Sequence, residues 1–374
     1  MTKSRFVQIA KPWIGSLSKY EPGRPIEEVA RELGIKDVNR IVKLASNENP
    51  LGPSPLAMKA MAEAAGRMHR YPDGSAHYLR QDLAAKLGVG ADQIVIGNGS
   101  NELLELTARV FLDENTNIVM AERAFVVYRL IAALSRAGVV SVPMKNHTHD
   151  LDAMLKAIDS RTKIVFVSNP NNPTGTAVEP AKLDAFVRSV PPSVVVAIDE
   201  AYVELMPPEQ QPDTLRYVRE GAGATVMLFR TFSKIYGLAG LRVGYAVATS
   251  DAIELMNRMR QPFNVNAMAL EAARAALADD QHVERTRRVV REGLAFYENS
   301  FREMGLNYVP SAANFILVET GRGRDTFQAL LREGIIVRPM DAYGLPAHVR
   351  ITVGTGEENK KCVKALKKVL GKAK

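Results

Sequence analysis

Lys234 lies within residues 230–245, "RTFSKIYGLAGLRVGY", among small and apolar residues. Its nearest positive neighbours along the chain are Arg230 and Arg242, and this stretch contains no acidic residue. An ammonium group is costly to remove from water, so a lysine in such company is typical either of the surface or of a site of chemistry. Residues elsewhere in the chain decide between these two interpretations.

Asp199 ends the apolar run of "VVVAIDEAY", residues 194–202. A carboxylate at the end of a buried strand needs a cation or an N–H group as a partner, because unpaired burial of a charge is unfavourable. The run therefore predicts a positive group close to Asp199. The alternative interpretation is a helix N-cap at Asp199, with Glu200 exposed to solvent.

A polar loop, "SNPNNPTG", follows another apolar run at residues 168–175. Its two Asn-Pro steps disfavour a helix directly after the predicted strand and leave the Asn172 amide free to donate or accept at the edge of the sheet. Turn formation explains the prolines and the glycine, but it does not explain the choice of asparagine.

A glycine-rich turn is predicted in "GNGSNELLELTARVF", residues 97–111, between a strand and a helix that starts near Asn101. Backbone N–H groups and the helix dipole at such a turn favour an anion such as a phosphate. The stretch lacks the third glycine of a dinucleotide fingerprint and the Gly-Lys-Ser/Thr of a nucleotide P-loop. A plain strand-to-helix turn is therefore an equal alternative for this stretch alone.

These four features together indicate one cofactor. Pyridoxal 5'-phosphate has a phosphate for the glycine-rich turn, a ring nitrogen that pairs with an acid such as Asp199, and an aldehyde that forms a Schiff base with a lysine such as Lys234. The amide of Asn172 can then bind at the rim of the site. A role for Lys234 in binding this cofactor explains why a lysine lies among small and apolar residues.

Short β-branched runs separated by amphipathic stretches must position these residues. Runs that are apolar on both faces predict a mostly parallel sheet covered by helices on both sides, an α/β core whose ligands gather after the carboxyl ends of its strands. Four of the six runs end in the polar clusters "GNGSNE", "SNPNNPTG", "DEAY" and "RTFSK". The six runs are residues 93–97, 117–122, 163–170, 194–200, 225–230 and 242–248.

The pattern changes after about residue 265 to long helical stretches followed by the short strands "NFILVE", "IIVRPM" and "VRITVG". This order predicts a second, smaller α+β unit. The Pro- and Gly-rich N-terminal segment is expected to pack with that unit. We therefore predict a large domain at residues 66–265 and a discontinuous small domain made of residues 1–65 and 266–374.

The motifs resemble a known family when they are taken in order. "SNPNNPTG", "DEAY" and "RTFSKIYGLAGLRVGY" resemble the fold-type-I pyridoxal-phosphate aminotransferases, in which a mostly parallel seven-stranded sheet lies between helices. "KLASNENPLGPSP", "RYPDG", "GNGSNE", "QPFNVN" and "VRITVGT" are similar to the histidinol-phosphate aminotransferase branch. The resemblance runs from about Tyr20 to about Glu358, and the combination of motifs is far more specific than any one of them.

The resemblance implies a catalytic role for three residues. Lys234 would hold the cofactor and then move a proton between the substrate α-carbon and the cofactor, for which it must be neutral part of the time; burial and Arg242 both favour that state. Asp199 would keep the ring nitrogen protonated. Tyr202, together with Asn172, would form hydrogen bonds with the phenolic oxygen of the ring.

The resemblance also implies the remaining contacts of the cofactor and the substrate. Phe125 would stack on the ring, and Tyr71 would reach the phosphate from the partner subunit of a homodimer. Arg350 would bind the acidic group of the substrate, with Arg338 and Tyr20 beside it, although a surface ion pair is the usual alternative for a single arginine. The phosphate contacts within one chain would be Ser100, Asn101, Thr231, Ser233 and Arg242.

Composition and charge exclude several other classes. The net charge of +8 depends on seven lysines in residues 360–374, where apolar residues at helical spacing predict a last helix with a solvated lysine face rather than a nucleic-acid or membrane-binding surface. A single cysteine and no apolar stretch of membrane-spanning length predict a cytoplasmic protein. His147 and His149 lack further ligands at zinc-type spacing, so we expect a polar loop and no metal site.

The resemblance implies transamination between L-histidinol phosphate and 2-oxoglutarate in L-histidine biosynthesis. An aromatic amino-acid aminotransferase is the nearest alternative, because aromatic and imidazole side chains fill similar space. A decarboxylase of a phosphorylated amino acid on the same scaffold is a second one. A non-catalytic, cofactor-binding regulator is disfavoured because the lysine, the aspartate and the arginines are all present.

Overall fold

The computed structural model describes residues 5–17, 23–221, 223 and 225–371. Within these residues the chain alternates between helices and strands, as the sequence predicts for an α/β protein. The helices are α1 Arg5–Ile9, α2 Ile26–Leu33, α3 Pro55–Ala65, α4 His77–Leu87, α5 Gly99–Phe111, α6 Val127–Leu134, α7 Leu151–Lys156, α8 Pro180–Ser189, α9 Arg216–Arg219, α10 Ser250–Met259, α11 Ala267–Leu277, α12 Asp280–Glu303, α13 Gly323–Arg332 and α14 Gly356–Gly371. The strands are β1 Val42–Lys43, β2 Ile94–Gly97, β3 Asn117–Ala121, β4 Gly138–Val142, β5 Thr162–Ser168, β6 Val195–Asp199, β7 Thr225–Thr231, β8 Gly244–Val247, β9 Tyr308–Val309, β10 Phe315–Glu319, β11 Ile335–Ile336, β12 Arg338–Pro339 and β13 His348–Thr352.

Seven strands form the large sheet in the order β2-β8-β7-β6-β5-β3-β4. Six of them run in one direction, and β8 is antiparallel to both β2 and β7. The mostly parallel seven-stranded sheet is thus confirmed, and all six apolar runs are strands in it. The seventh strand, β4, was not located in the sequence because it lies at the edge and is largely exposed or half-buried, which weakens its apolar signal.

Apolar side chains cover both faces of the large sheet. In β5, Val165 and Val167 belong to one hydrophobic core and Ile164 and Phe166 to the other. This division follows from the period of two in a strand, which sends alternate side chains to opposite faces. The helices on both sides bury these residues, so the sheet is a fixed frame for the loops at its ends.

The carboxyl ends of the central strands lie at one edge of the large sheet. Ser168 at the end of β5 pairs in register with Asp199 at the end of β6, which pairs with Phe229 in β7. Thr231 at the end of β7 lies opposite Gly244 at the start of β8. The polar clusters that the sequence places after four different strands are therefore neighbours in space.

A four-stranded antiparallel sheet, in the order β12-β13-β10-β9, forms the C-terminal unit. Its core includes Val29, Val42 and Leu44 from the N-terminal segment, and β1 pairs in parallel with β11. Residues of α2 and β1 thus pack with the C-terminal unit, whereas Ala57 of α3 lies in the core of the large sheet. The domain boundary at residue 265 stays a prediction, and α11, which follows it, packs in the core of the large sheet.

The last helix, α14, has the composition expected from the sequence. Val363 and Leu366 are buried, whereas Lys360, Lys361 and Lys364 are exposed on the opposite side. The interpretation as a packed helix with a solvated lysine face is confirmed for the residues that are described. In those same residues no helix combines the length and the apolar character that a membrane span requires.

Candidate active site

A cavity of ≈ 260 Å³ lies at the carboxyl edge of the large sheet, between that sheet and the C-terminal unit. Most of the residues that the sequence predicts for the site line this one cavity. They are Ser100, Asn101, Phe125, Asn172, Asp199, Tyr202, Thr231, Ser233, Lys234, Arg242, Arg338 and Arg350.

Lys234 follows β7 and is held at the wall of the cavity. Its Nζ lies 3.5 Å from the carbonyl oxygen of Ser46 and 5.6 Å from the centre of the Tyr202 ring. Burial, together with the nearby charges of Arg350 and Arg242, lowers the pKa of Lys234 to about 8. The amine is therefore neutral in a useful fraction of molecules near neutral pH, as a nucleophile or a general base requires.

Asp199 is 4% exposed at the end of β6. Its Oδ2 accepts a hydrogen bond of 2.7 Å from the Tyr128 hydroxyl, and its Oδ1 accepts one of 3.2 Å from the backbone N–H of Ala201. Burial raises the pKa of Asp199, and the two hydrogen bonds oppose that rise. A buried carboxylate facing a cavity is best satisfied by a cationic ligand.

The alternative interpretation of Asp199 as a helix cap with an exposed neighbour is wrong. Glu200 is fully buried and accepts a hydrogen bond of 2.8 Å from Nε of Arg230 and one of 2.6 Å from the Thr214 hydroxyl. This buried ion pair joins the ends of β6 and β7. It therefore supports the two strands from which Asp199 and Lys234 enter the cavity.

An anion cradle lies at the start of α5. The helix begins at Gly99, two residues earlier than expected, and Gly99 has a φ of 73°, which favours glycine. A Cβ atom on Gly244 would lie 2.7 Å from the backbone N of Ser100, so only glycine permits β8 to approach this turn. The N–H groups of the first turn therefore face a space that hydroxyl groups of Thr231 and Ser233 also line.

Arg242 completes the cradle from the loop before β8. Its Nη1 lies 3.4 Å from the Ser233 hydroxyl and donates to the carbonyl of Ala239 at 3.2 Å. A planar guanidinium group beside two hydroxyl groups and a helix N-terminus is a donor set that suits a phosphate.

Arg350 enters the same cavity from the other side, on β13. It is 6% exposed, donates to Oδ1 of Asn172 and to the carbonyl of Ala45 at 2.9 Å, and stacks on the Phe315 ring at 5.0 Å. The alternative of a surface ion pair is therefore wrong for Arg350. Arg338 on β12 is its partner in the strand register and also lines the cavity.

Tyr202 and Phe125 complete the wall near Asp199. Tyr202 is 4% exposed, its hydroxyl oxygen accepts from Nδ2 of Asn47 at 2.9 Å, and burial raises its pKa to about 12. The phenol therefore keeps its proton at neutral pH. Phe125 lines the cavity with its ring at right angles to that of Tyr128.

Among the described residues that the sequence predicts for the site, Tyr71 does not line this cavity. Tyr71 is 83% exposed and stacks on Phe263, with ring centres 4.8 Å apart. Tyr20 lies outside the residues that the structure describes. The predicted role of Tyr71 as a contact from a partner subunit stays a prediction, because it concerns a second chain.

His149 lies in a loop, as the sequence predicts, but its side chain is buried. This side chain is 5% exposed and its Nε2 lies 2.9 Å from the carbonyl of Ser168, and burial lowers its pKa to about 4. His147 lies in the same loop, with its ring 6.1 Å from that of His348. In the residues that the structure describes, no cluster of three or more such ligands could hold a metal ion.

Comparison with protein families gives the identity of the fold. The family model for aminotransferase class I and II matches residues 39–366. The chain belongs to this aminotransferase family. The fold-type-I architecture predicted from the sequence is thereby confirmed, and the matched residues include the whole large sheet and β13.

Individual relatives of this aminotransferase extend the comparison. The chain is 50% identical to the histidinol-phosphate aminotransferase of Moorella thermoacetica over 95% of this chain and 91% of that one, and 50% identical to that of Akkermansia muciniphila over 95% and 96%. A crystal structure of histidinol-phosphate aminotransferase from Sinorhizobium meliloti in complex with pyridoxal-5'-phosphate has a TM-score of 0.89 and 28% identity, with both chains fully covered.

Sequence reasoning missed two groups of residues at the site of this aminotransferase. Ser46, Asn47 and Glu48 line the cavity from the segment after β1, and Tyr128 lies behind Asp199. The first group had a signal, since "SNEN" is a polar cluster after a short apolar run and before a proline. Tyr128 had none, because its position relative to Asp199 depends on the packing of α6 against the sheet.

Proposed function

We propose that this protein catalyses the transfer of an amino group between L-histidinol phosphate and 2-oxoglutarate in L-histidine biosynthesis, with pyridoxal 5'-phosphate as its cofactor. The observation that carries the proposal is that Lys234, Asp199 and Arg350 line one cavity. The 50% identity to two histidinol-phosphate aminotransferases over nearly the whole chain supports the substrate.

The residues present fit the proposed cofactor. The buried carboxylate of Asp199 is a partner for a protonated ring nitrogen, and the cradle at the start of α5 suits a phosphate. Gly244 leaves the room that this cradle needs. When bound, pyridoxal 5'-phosphate supplies an electron sink for the electrons that remain when the substrate α-carbon loses its proton.

The protein's own residues would then bind, orient and move a proton. Lys234, with its lowered pKa, would hold the cofactor through Nζ and would take the proton from the substrate α-carbon. Asp199 would hold the proton on the ring nitrogen. Tyr202 and Asn172 would donate hydrogen bonds at the rim, and Phe125 would cover one face of the ring.

Arg350 and Arg338 would select the acidic group of the substrate. Planar guanidinium groups bind both carboxylate and phosphate oxygens with paired hydrogen bonds. Glutamate and histidinol phosphate can therefore use one site in alternate half-reactions. Arg350 is already fixed by Asn172 and Ala45, so little conformational freedom is lost when a substrate binds.

A homodimer with shared sites is part of the proposal. The aromatic pair of Tyr71 and Phe263 is largely exposed in one chain, as Tyr71 would be if it contacts the phosphate in a partner subunit. Two inactive variants test this arrangement. When Lys234→Ala and Tyr71→Ala chains are mixed, each hybrid dimer has one site with both Lys234 and the partner's Tyr71 intact, so activity should return. If hybrid dimers form and activity does not return, the two subunits do not share their active sites.

The division into a large domain at 66–265 and a small domain at 1–65 and 266–374 also stays a proposal, as does the cytoplasmic location. Limited proteolysis tests the division. Cleavage should concentrate near residues 65 and 265, and cleavage spread evenly over the exposed loops would contradict it.

The substrate proposal is tested with purified protein that has been given the cofactor. Its visible spectrum is recorded, and borohydride reduction is used to attach pyridoxal 5'-phosphate permanently to Lys234. The kcat/KM is measured for histidinol phosphate and for phenylalanine. We expect a colour that is lost with Lys234→Ala and a preference for histidinol phosphate. A preference of more than about tenfold for phenylalanine would support an aromatic aminotransferase, and release of carbon dioxide would support a decarboxylase.

A further inference from the structure

Asn47 lies in the segment between β1 and α3 and has an unusual backbone. Its φ is 55°, in the left-handed region where asparagine is more common than other residues except glycine. The backbone N–H donates to Oγ1 of Thr352 at 3.0 Å, and the carbonyl accepts from Nδ2 of Asn314 at 3.0 Å. Two residues of the C-terminal unit therefore hold this conformation at the wall of the cavity.

The hydrogen bonds determine which way the Asn47 amide faces. Oγ1 of Thr352 accepts from the backbone N–H of Asn47, so its own hydroxyl proton is available to Oδ1 of Asn47, 3.1 Å away. The other side-chain atom, Nδ2, then faces the Tyr202 hydroxyl at 2.9 Å. Asn47 is 1% exposed, so these protein groups are its partners.

The direction of this contact decides the role of Tyr202. An amide nitrogen can only donate, so the Tyr202 oxygen accepts from Asn47 and its own O–H must be directed elsewhere. Tyr202 lines the cavity, and with its pKa raised to about 12 it keeps its proton. Asn172 is held in the same sense, since its Oδ1 accepts from Arg350 and leaves Nδ2 as the donor.

We propose that Asn47 is a positioning residue that holds the hydroxyl of Tyr202 as a hydrogen-bond donor toward the cavity. This inference rests on the proposed function, in which an acceptor oxygen of the cofactor ring meets that donor. Asn47 does not contact the reacting atoms itself. Because Thr352 and Arg350 lie on the same strand, β13, one element fixes the donor roles of both Tyr202 and Asn172.

Asn47→Asp tests the proposal because it has nearly the same shape and tolerates the same φ. A carboxylate can only accept, so the contact with Tyr202 reverses and the phenolic proton turns away from the cavity, while Thr352 keeps both of its hydrogen bonds. An acceptor oxygen that loses a donor keeps more negative charge and binds a neighbouring proton more tightly. The pH midpoint of the visible spectrum of the bound cofactor should therefore rise by about 1 pH unit.

The Tyr202→Phe variant separates this effect from the added charge. Tyr202→Phe alone should raise the midpoint by a similar amount, and Asn47→Asp should add little in the Tyr202→Phe background. An equal shift from Asn47→Asp in both backgrounds would mean that only the charge acts, and it would overturn the proposal. An unchanged midpoint in Asn47→Asp would overturn it as well.

Asn47→Gly provides a second variant if the aspartate protein does not fold. Glycine keeps the left-handed backbone but removes the donor, so Tyr202 is no longer held and the midpoint should rise less than with Asn47→Asp. A midpoint equal to that of the wild-type protein in this variant too would contradict the inference. The inference rests on the part of the proposed function that concerns pyridoxal 5'-phosphate binding, and failure of that part is recognised separately, because the wild-type protein would then show no visible spectrum to titrate. Failure of the substrate assignment is recognised by the kcat/KM comparison and leaves the spectrum in place.

Discussion

The two walls of the cavity differ in how the chain supplies them. The large-sheet wall consists of Asp199, Thr231, Ser233 and Lys234, and the opposite wall consists of Asn47, Arg338 and Arg350. Residues of the large-sheet wall directly end strands β6 and β7 or follow them within three positions. Residues of the opposite wall come from both ends of the chain and meet only in the C-terminal unit.

This difference separates two tasks. The large-sheet wall has strands covered on both faces, and its ion pair joins the fully buried Glu200 to Arg230, which is 11% exposed. This arrangement suits groups that must keep a fixed geometry for chemistry. The opposite wall presents guanidinium groups, which in the proposed function would bind the acidic group of either substrate. We therefore expect changes in the first wall to lower kcat and changes of the two arginines of the opposite wall to raise KM.

The largest effect is expected from Lys234→Ala. Loss of the nucleophile and of the proton acceptor should lower kcat for transamination by about 10⁴-fold or more. Steady-state assays with L-histidinol phosphate and 2-oxoglutarate measure this loss of kcat. Lys182→Ala, which removes an exposed lysine of α8, is the matched control and should keep normal activity. If Lys234→Ala keeps more than about a tenth of the normal activity, Lys234 is not the residue that carries out the chemistry at the large-sheet wall.

Asp199→Asn should lower kcat by about 10³-fold, because it removes a buried charge that would stabilise a cationic partner without changing the shape of the side chain. Tyr128 can still donate to the amide oxygen, so the protein should fold normally. Measuring kcat reports the loss of catalysis, and thermal unfolding shows whether the variant is also less stable. Asp152→Asn, at an exposed position in α7, provides the comparison; equal activity of the two variants would refute the assignment.

Arg350→Ala should raise KM by about 10²-fold for both glutamate and histidinol phosphate, with a smaller effect on kcat, because two charge-assisted hydrogen bonds to the acid are lost. Arg350→Lys should not restore the normal KM, since an ammonium group cannot form two parallel hydrogen bonds to one acidic group. Arg332→Ala, at an exposed position in α13, should behave as wild type. An effect on only one of the two substrates would show that they use separate sites.

The smallest effect concerns pH. The pKa of Lys234 in the cofactor-free protein is about 8, so the rate at which the cofactor attaches should rise with pH through that value and then level off. Arg350→Ala removes a positive neighbour, so the pKa of Lys234 rises and the midpoint moves to higher pH, by less than about 1 unit. The rate of cofactor attachment at each pH is measured by rapid mixing with pyridoxal 5'-phosphate, followed by visible absorbance. A midpoint that moves to lower pH would contradict this electrostatic coupling.

The same comparison shows how far the sequence could predict the site. Asp199 and Lys234 could be predicted because each follows an apolar run, and the end of a strand in a mostly parallel sheet is also a position in space. Strand β4 could not be located because its exposed edge lacks a continuous apolar pattern. His149 was expected in a polar loop, since nothing local indicates that the loop folds back on β5.

The sequence by itself determined the family, the α/β order of elements, and which loops carry the acid, the amide and the lysine, because hydrophobic periodicity and strand ends are local properties. Only the tertiary structure decided the hydrogen-bond roles. Asn47 and Tyr202 are 155 residues apart, and Arg350 and Asn172 are 178 apart. Contacts over such separations follow from packing of the C-terminal unit against the large sheet, and no local pattern records which atom donates.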